Sequence, residues 1–362
     1  MSGYYLRSQV AISNTVQNRH DAERPSRDRR EVIEARLEFQ LPQPAQAQVQ
    51  IRQGRGVGGI GLFARGVIKR GALILIEAPL FSLRHHFTNG ELAREIGLLS
   101  QANRDAFRDA FRNLHPQHGT DRQIFESNRV EMREGHVEHG RINDSGLFLQ
   151  ASRFNHSCIS NAHMQWNEAT QSVTVYAVRK INKNSEIFVN YVAEHFSGRA
   201  DRQSALADYG FTCSCEACRG NTKFGKESEK RRSDMHNLLK SDVENADMDD
   251  EPVFKRLEAH VEYLLQALDL ERLVFPGVAE LCIEQSKWFG EEFRKIIGRA
   301  MASKSETIPK LQSSASATAR RGLGYALMTT GPDSKVTREA LDAIEEAQHL
   351  SGAGPGRQYW HD

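Results

Sequence analysis

The sequence has few of the features that mark membrane, secreted or polyanion-binding proteins. Its 362 residues contain only five cysteines, and no apolar run approaches the ~20 residues that a membrane span needs. The segment before Ala45 lacks the apolar core of a secretory signal, so we expect an intracellular, non-secreted protein whose cysteines are thiols or metal ligands. The 48 basic residues are balanced by 47 acidic ones, which leaves no net field to attract nucleic acid or an anionic membrane.

The chain changes character along its length, which predicts four regions. Residues 1–46 are expected to form a disordered tail, because the stretch from Arg19 to Arg36 is dense in charge of both signs and offers almost nothing apolar to bury. Residues 47–197 alternate short β-prone runs with helical spacing over an insert at about 88–140. A cysteine-rich loop occupies 198–220, and 221–362 carries only helical apolar stripes, with Asp333 predicted to cap the last helix. The fold class is therefore α+β, an irregular β-rich domain followed by an all-α region.

A glycine cluster follows the first β-prone run. Gly54, Gly56 and Gly59 satisfy the spacing of a dinucleotide-binding fingerprint, in which a helix must open at the last glycine. Further glycines and β-prone residues follow instead, which disfavours that helix. A glycine-rich hairpin without a ligand is the simpler alternative, and a nucleotide-dependent oxidoreductase is the functional one.

The strongest chemical signal is the segment Cys213-Ser-Cys215-Glu-Ala-Cys218. Structural zinc takes four nitrogen or sulfur ligands in a closed tetrahedron, and this segment supplies three. Cys158 and Cys282 are the remaining cysteines. Cys282 lies on the apolar stripe of a predicted helix, where cysteine usually packs as a small core residue. A redox pair formed by Cys215 and Cys218 is the alternative, but it leaves Cys213 without a role.

Three segments occur in an order that resembles the SET-domain protein-lysine methyltransferases with a post-SET cysteine loop. They are Arg153–Asn161 (RFNHSCISN), Glu186–Tyr191 (EIFVNY) and the cysteine segment. The resemblance runs from about Val49 to Arg219. It departs from the family pattern at Ser160, where proline is usual, and at Asn184, where a turn glycine is usual. The cysteines are too few for a MYND zinc finger, so the chain resembles stand-alone fungal SET proteins.

The resemblance implies two cofactors, S-adenosylmethionine and a structural Zn²⁺. It makes Cys158 the fourth zinc ligand beside Cys213, Cys215 and Cys218. Tyr191 would be the catalytic residue, with its hydroxyl at the transferring methyl group. The residues that would bind S-adenosylmethionine are Gly59, Gly61, Arg153, Asn155, His156, Tyr191 and Phe211.

The implied function is methyl transfer to a lysine of a protein substrate, with a histone as one candidate and the nucleus or cytoplasm as the location. We expect a monomer without direct nucleic-acid binding. A catalytically silent SET module that binds peptides as a scaffold is the competing hypothesis. The helices after about Lys223 are expected to pack beside the cysteine loop and to form one wall of the substrate cleft, which would govern selectivity.

Overall fold

The computed structural model describes residues 49–53, 60–84, 86–112, 120–132, 144–192, 195–240, 251–299 and 307–352. The tail predicted at 1–46 and the candidate ligand Gly59 lie outside these ranges. None of the helices described has the length and apolar character that crossing a membrane would require.

Among the described residues, ten short strands build the first part of the chain. They are β1 (Val49–Gln53), β2 (Ile60–Ala64), β3 (Leu73–Glu77), β4 (Phe81–Leu83), β5 (Val130–Met132), β6 (Asp144–Leu147), β7 (Asn155–His156), β8 (Ala162–Asn167), β9 (Ser172–Ala177) and β10 (Phe188–Val189). They pair in small sheets, β1–β2, β3–β9–β8 and β4–β6–β5, all antiparallel, while β7 and β10 pair in parallel. No large layered sheet forms among the described strands, which confirms the predicted irregular α+β class.

The described helices lie in three places. The insert contains α1 (Asn89–Leu98), α2 (Gln101–Arg112) and α3 (Asp121–Asn128). Helix α4 (Arg199–Leu206) lies at the start of the 198–220 segment, ahead of its cysteines. The rest of the chain contains α5 (Lys223–Lys240), α6 (Glu251–Leu270), α7 (Pro276–Arg299), α8 (Thr307–Thr329) and α9 (Lys335–Gly352). The sequence pattern predicts neither helix α4 nor strand β8. Both segments are short and largely polar, so their apolar periodicity is weak.

The insert begins with helix α1, whose first turn is capped by side chains. Thr88 accepts a hydrogen bond from the backbone N–H of Glu91, whose carboxylate in turn accepts from the backbone of Thr88. This reciprocal capping box satisfies two N–H groups that a helix start leaves open. The insert helices then bury Phe107 and Phe125 against Phe81 of β4, which joins the insert to the β-rich core.

The last helix starts one residue later than predicted. Ser334, rather than Asp333, accepts the hydrogen bond from the backbone N–H of Thr337, and α9 begins at Lys335. Both side chains are good N-caps, so sequence alone does not separate them. Gly331, with φ of +80°, lies so close to Tyr176 of β9 that a Cβ atom there would be 2.2 Å from the tyrosine hydroxyl. The turn between α8 and α9 therefore packs directly against the β-rich domain.

Candidate active site and metal centre

The segment Arg153–Asn161 and the strand β10 interlock through their backbones. Asn155 and His156 of β7 lie in register with Phe188 and Val189 of β10. The Asn161 side chain extends this pairing, since its Nδ2 donates to the Glu186 carbonyl at 2.9 Å and its Oδ1 accepts from the Phe188 N–H at 2.8 Å. One carboxamide thus makes two hydrogen bonds to the backbone of the other segment, as a paired strand would. These contacts join Arg153–Asn161 and Glu186–Tyr191 into one unit, which we call the knot.

Tyr191 is fixed in this knot at both ends. Its backbone N–H donates to Nδ1 of His156 at 2.9 Å, and its hydroxyl donates to the carbonyl of Phe154 at 2.5 Å. Burial lowers the pKa of His156 to about 4, so the imidazole is neutral at physiological pH. Because Nδ1 accepts, the remaining proton is on Nε2, which lies 3.3 Å from the Cys158 sulfur. The ring therefore connects Tyr191 to the sulfur cluster.

Glu186 and Asn155 surround the predicted ligand Gly61. The Asn155 side chain donates to Oε1 of the buried Glu186 at 2.7 Å. A Cβ atom at Gly61 would lie 2.3 Å from that carboxylate oxygen and 2.8 Å from the Asn155 nitrogen. Glycine at this position therefore lets the backbone of β2 approach the knot closely.

Aromatic rings line the site beside Tyr191. The ring centroid of Tyr209 lies 4.9 Å from that of Tyr191, and the ring of Phe211 lies 6.5 Å away, edge-on. Phe211 also lies 6.0 Å from the His156 ring. Burial, together with Tyr209 and Glu186, raises the pKa of Tyr191 well above its usual value. The phenol therefore stays protonated at neutral pH.

The four cysteines named by the resemblance lie together. Their sulfur atoms are all within 4.8 Å of one another. Cys158 Sγ is 3.6 Å from Cys218 Sγ and 3.9 Å from Cys213 Sγ. Cys158 approaches from the knot and the other three from the loop around the short turn Glu216–Cys218. The fifth cysteine, Cys282, is buried among apolar side chains of the helical region.

These distances fit a tetrahedral zinc ion. With Zn–S bonds of about 2.3 Å, sulfurs at tetrahedral corners are about 3.8 Å apart. The thiols also interact with one another, because hydrogen bonds among them lower the pKa of Cys215 and raise the pKa of Cys158. A buried donor set of four thiols at these distances suits a cation that binds thiolates.

The other features of the site divide into predicted and unpredicted residues. Arg153 is buried at the end of the turn Ala151–Arg153, and burial lowers its pKa. The sequence motifs predict no role for Asn161, Glu186 or Tyr209, although each lies inside or beside one of them. They also predict none for two buried arginines, Arg202, which donates to the Cys218 sulfur, and Arg232, which donates to the Cys158 carbonyl. No local pattern distinguishes these arginines from surface residues.

Comparisons with known proteins agree with this geometry. The family model of the SET domain matches residues 59–192. The chain is 28% identical over 265 residues to histone-lysine N-methyltransferase set5 of Schizosaccharomyces pombe, which covers 70% of this chain and 79% of that protein. It is 37% identical over 76 residues to histone-lysine N-methyltransferase ATXR2 of Arabidopsis thaliana, covering 20% of this chain and 16% of the relative. The match to histone-lysine N-methyltransferase SET5 of Candida albicans is 30% identical over 120 residues, or 32% and 24% of the two chains. The chain therefore contains a SET domain at residues 59–192, the segment that holds the knot.

Proposed function

We propose that this protein is an S-adenosylmethionine-dependent protein-lysine N-methyltransferase with a structural zinc ion. The observation that carries the proposal is the fixed position of Tyr191, whose hydroxyl is held by the Phe154 carbonyl inside an aromatic enclosure next to the Asn155–Glu186 pair. The names of the relatives make a lysine-bearing protein the substrate, with a histone as the first candidate. The protein would act as a monomer in the nucleus or cytoplasm.

The residues at the site suit a cationic methyl donor. When bound, S-adenosylmethionine supplies a methyl group on a positively charged sulfonium. The Glu186 carboxylate and the faces of Tyr209 and Phe211 favour a cation, and Gly61 leaves room for close backbone approach. Arg153, Asn155 and His156 complete the predicted binding set, together with Gly59 from outside the described ranges.

Tyr191 would align the reacting groups rather than act as a base. Methyl transfer to an amine is an in-line displacement that needs a neutral amine, close alignment and exclusion of water. The Tyr191 hydroxyl proton is engaged by Phe154, so the phenol oxygen keeps its lone pairs for a substrate N–H or a polarised methyl group. The aromatic rings around it would disfavour the charged form of the lysine by desolvation.

The test is transfer of radiolabelled methyl from S-adenosylmethionine to purified histones and to a proteome extract. We expect label on lysine in at least one protein. If the zinc-loaded protein binds S-adenosylmethionine and histone peptides but transfers no label to either substrate pool, the scaffold hypothesis replaces this one.

The pH dependence of the transfer step follows from the Tyr191 environment. Burial raises the pKa of Tyr191 above its usual value near 10, so its phenol stays neutral while a substrate lysine, with a pKa of about 10.4, loses its proton. The single-turnover rate with a peptide substrate should therefore rise from pH 7 to pH 10. A descending limb below pH 10 with folded, cofactor-bound enzyme would contradict this assignment.

Gly61→Ala tests the close approach of β2 to the knot. The added methyl would meet the Glu186 carboxylate and the Asn155 amide, and because Glu186 is buried their hydrogen bond must break or shift. We expect a loss of about 1–3 kcal/mol in the free energy of unfolding, with weaker S-adenosylmethionine binding by calorimetry. Gly97→Ala in α1 is the matched control, since a Cβ there meets nothing within 4 Å. Equal behaviour of the two variants would refute the close-approach explanation.

A further inference from the structure

Two arginines are buried beside the cysteine cluster, one from each side. Arg202 of α4 is 1% exposed, and its guanidinium donates to the Ser197 carbonyl at 2.5 Å and to Cys218 Sγ at 3.7 Å. Its Nε is buried without a hydrogen-bond acceptor among the described residues. Within the described ranges, no carboxylate forms an ion pair with Arg202. The sulfurs of Cys218 and Cys158 are thus the neighbours of Arg202 that can become anions.

Arg232 reaches the same cluster from helix α5. It is fully buried, and it donates to the backbone carbonyl of the zinc-ligand candidate Cys158 at 3.0 Å and to the carbonyl of His195. Its Nε is 3.1 Å from a carboxylate oxygen of Glu271, at the end of the α6 region. Glu271 is also fully buried and accepts hydrogen bonds from Ser228 and Arg231, each at 2.7 Å. The helical region therefore places a charged network directly on the metal-site candidate.

The charges of this network do not balance without an anion. A buried cation is costly unless an opposite charge and hydrogen bonds compensate for it. Among the described residues, Arg232 pairs with one carboxylate, that of Glu271. Glu271 also pairs with Arg231, whose second partner is the half-exposed Glu227 at 3.5 Å. Arg202 is left with carbonyl and sulfur partners. With four neutral thiols the buried region carries excess positive charge.

A zinc ion held by four thiolates carries two negative charges, so it supplies the negative charge that Arg202 lacks in the described network. We propose that Arg202 and Arg232 are charge-compensating positioning residues for this zinc site, Arg202 through its N–H to Cys218 and Arg232 through the Cys158 carbonyl. The inference rests on the zinc site of the proposed function. It makes the helical region part of the metal centre, because Arg232 and its counter-ion Glu271 both come from that region.

The proposal predicts opposite effects for opposite charges. Arg202→Met removes a compensating cation and an N–H to sulfur, so zinc binding should weaken by at least about 10-fold, the usual cost of losing an outer-sphere partner. Glu271→Gln keeps the size of the side chain but removes negative charge, so zinc should bind at least as tightly as in the wild type even if the fold is less stable. A purely structural role predicts that both variants release zinc more easily. Arg202→Lys retains the charge and should recover most of the affinity.

The measurements are zinc affinity by competition with a chromophoric chelator, and the absorption spectrum of the full chain with cobalt(II) in place of zinc. A hydrogen bond from an N–H to a thiolate lowers the energy of the sulfur electrons. Loss of that hydrogen bond in Arg202→Met should therefore move the sulfur-to-cobalt charge-transfer band to longer wavelength. Arg231→Met is the control, because Arg231 shares Glu271 but has no hydrogen bond to the cysteine segments among the described residues. It should change zinc affinity by less than about 3-fold.

The outcomes separate this inference from the proposed function. Weaker zinc binding in Arg202→Met, together with unchanged or tighter binding in Glu271→Gln, supports the inference whether or not the enzyme transfers methyl groups. Wild-type affinity and an unshifted cobalt band in Arg202→Met would overturn it, as would weaker binding in both variants. A wild-type chain that binds no zinc overturns the metal site itself. If Arg202→Met does not fold, Glu271→Gln still tests whether removing a negative charge leaves zinc binding as tight or tighter. Arg202→Lys then tests whether a cation at position 202 is enough to keep zinc bound.

Discussion

Replacing Cys158 with serine is expected to reduce bound zinc from one ion per chain to none and to lower methyl transfer to background. The Cys158 sulfur is 3.6 Å from that of Cys218 and completes the cluster from the side of the knot. A serine oxygen is a poor substitute for a thiolate at zinc. Without the metal, the loop that carries Tyr209 and Phe211 loses its attachment to the knot, so cofactor affinity should fall as well.

Cys282→Ser is the matched control for this experiment. Cys282 is fully buried among apolar residues of the helical region, and burial raises the pKa of its thiol to about 12. The variant should lose some stability but keep its full zinc content. Metal analysis of both purified proteins, with calorimetry of S-adenosylmethionine binding, makes the comparison. A Cys158→Ser protein with one zinc per chain would remove Cys158 from the ligand set.

Tyr191→Phe should lower the single-turnover rate by about 10²-fold, the usual effect of losing one preorganised polar group at a reaction centre. The substitution removes the hydroxyl that donates to the Phe154 carbonyl and leaves the ring packing against Tyr209 and Phe211 in place. Zinc content and S-adenosylmethionine affinity should therefore stay near wild-type values. The loss should be in turnover, or in the number of methyl groups added, rather than in binding.

Tyr176→Phe gives the corresponding control within the same domain. Tyr176 is a buried tyrosine of β9 that packs against Gly331 of the helical region. It should change stability and leave the transfer rate nearly unaltered. An equal loss of rate in both variants would mean that the hydroxyls act through folding, and Tyr191 would have no special part in the chemistry.

The contacts of the helical region change the expected effect of a truncation at Gly220. Sequence reasoning treats the helices after Lys223 as a separable wall of the cleft, whose removal would relax substrate choice and spare cofactor binding. The structure places Arg232 on the Cys158 carbonyl and pairs Arg272 with Glu216 of the cysteine loop at 3.0 Å. Removing these contacts would disturb the cysteine cluster as well. The part of the helices in forming that cleft stays a prediction.

The sequence alone predicted the fold class, the order of the site segments and a candidate metal site at three closely spaced cysteines. Short β-prone runs indicated an irregular α+β domain, and long apolar stripes indicated helices, because these patterns record which side chains must leave water. Cysteine is rare in this chain and binds metals through a specific geometry, so three closely spaced cysteines were informative without a structure. Capping threonines also follow local rules, as Thr88 illustrates.

Which polar residues are buried, and what they contact, is visible in the folded structure alone. Arg202, Arg232 and Glu271 carry charged side chains of the kind that usually faces solvent, yet all three are buried. The partners of Arg232 lie far away along the chain, at separations of 74 positions for Cys158 and 39 for Glu271. The packing between Gly61 and Glu186 is similarly distant in sequence. A local pattern reports a residue's own hydrophobicity and helical phase, whereas the compensation of a buried charge depends on groups that only folding brings within hydrogen-bond distance.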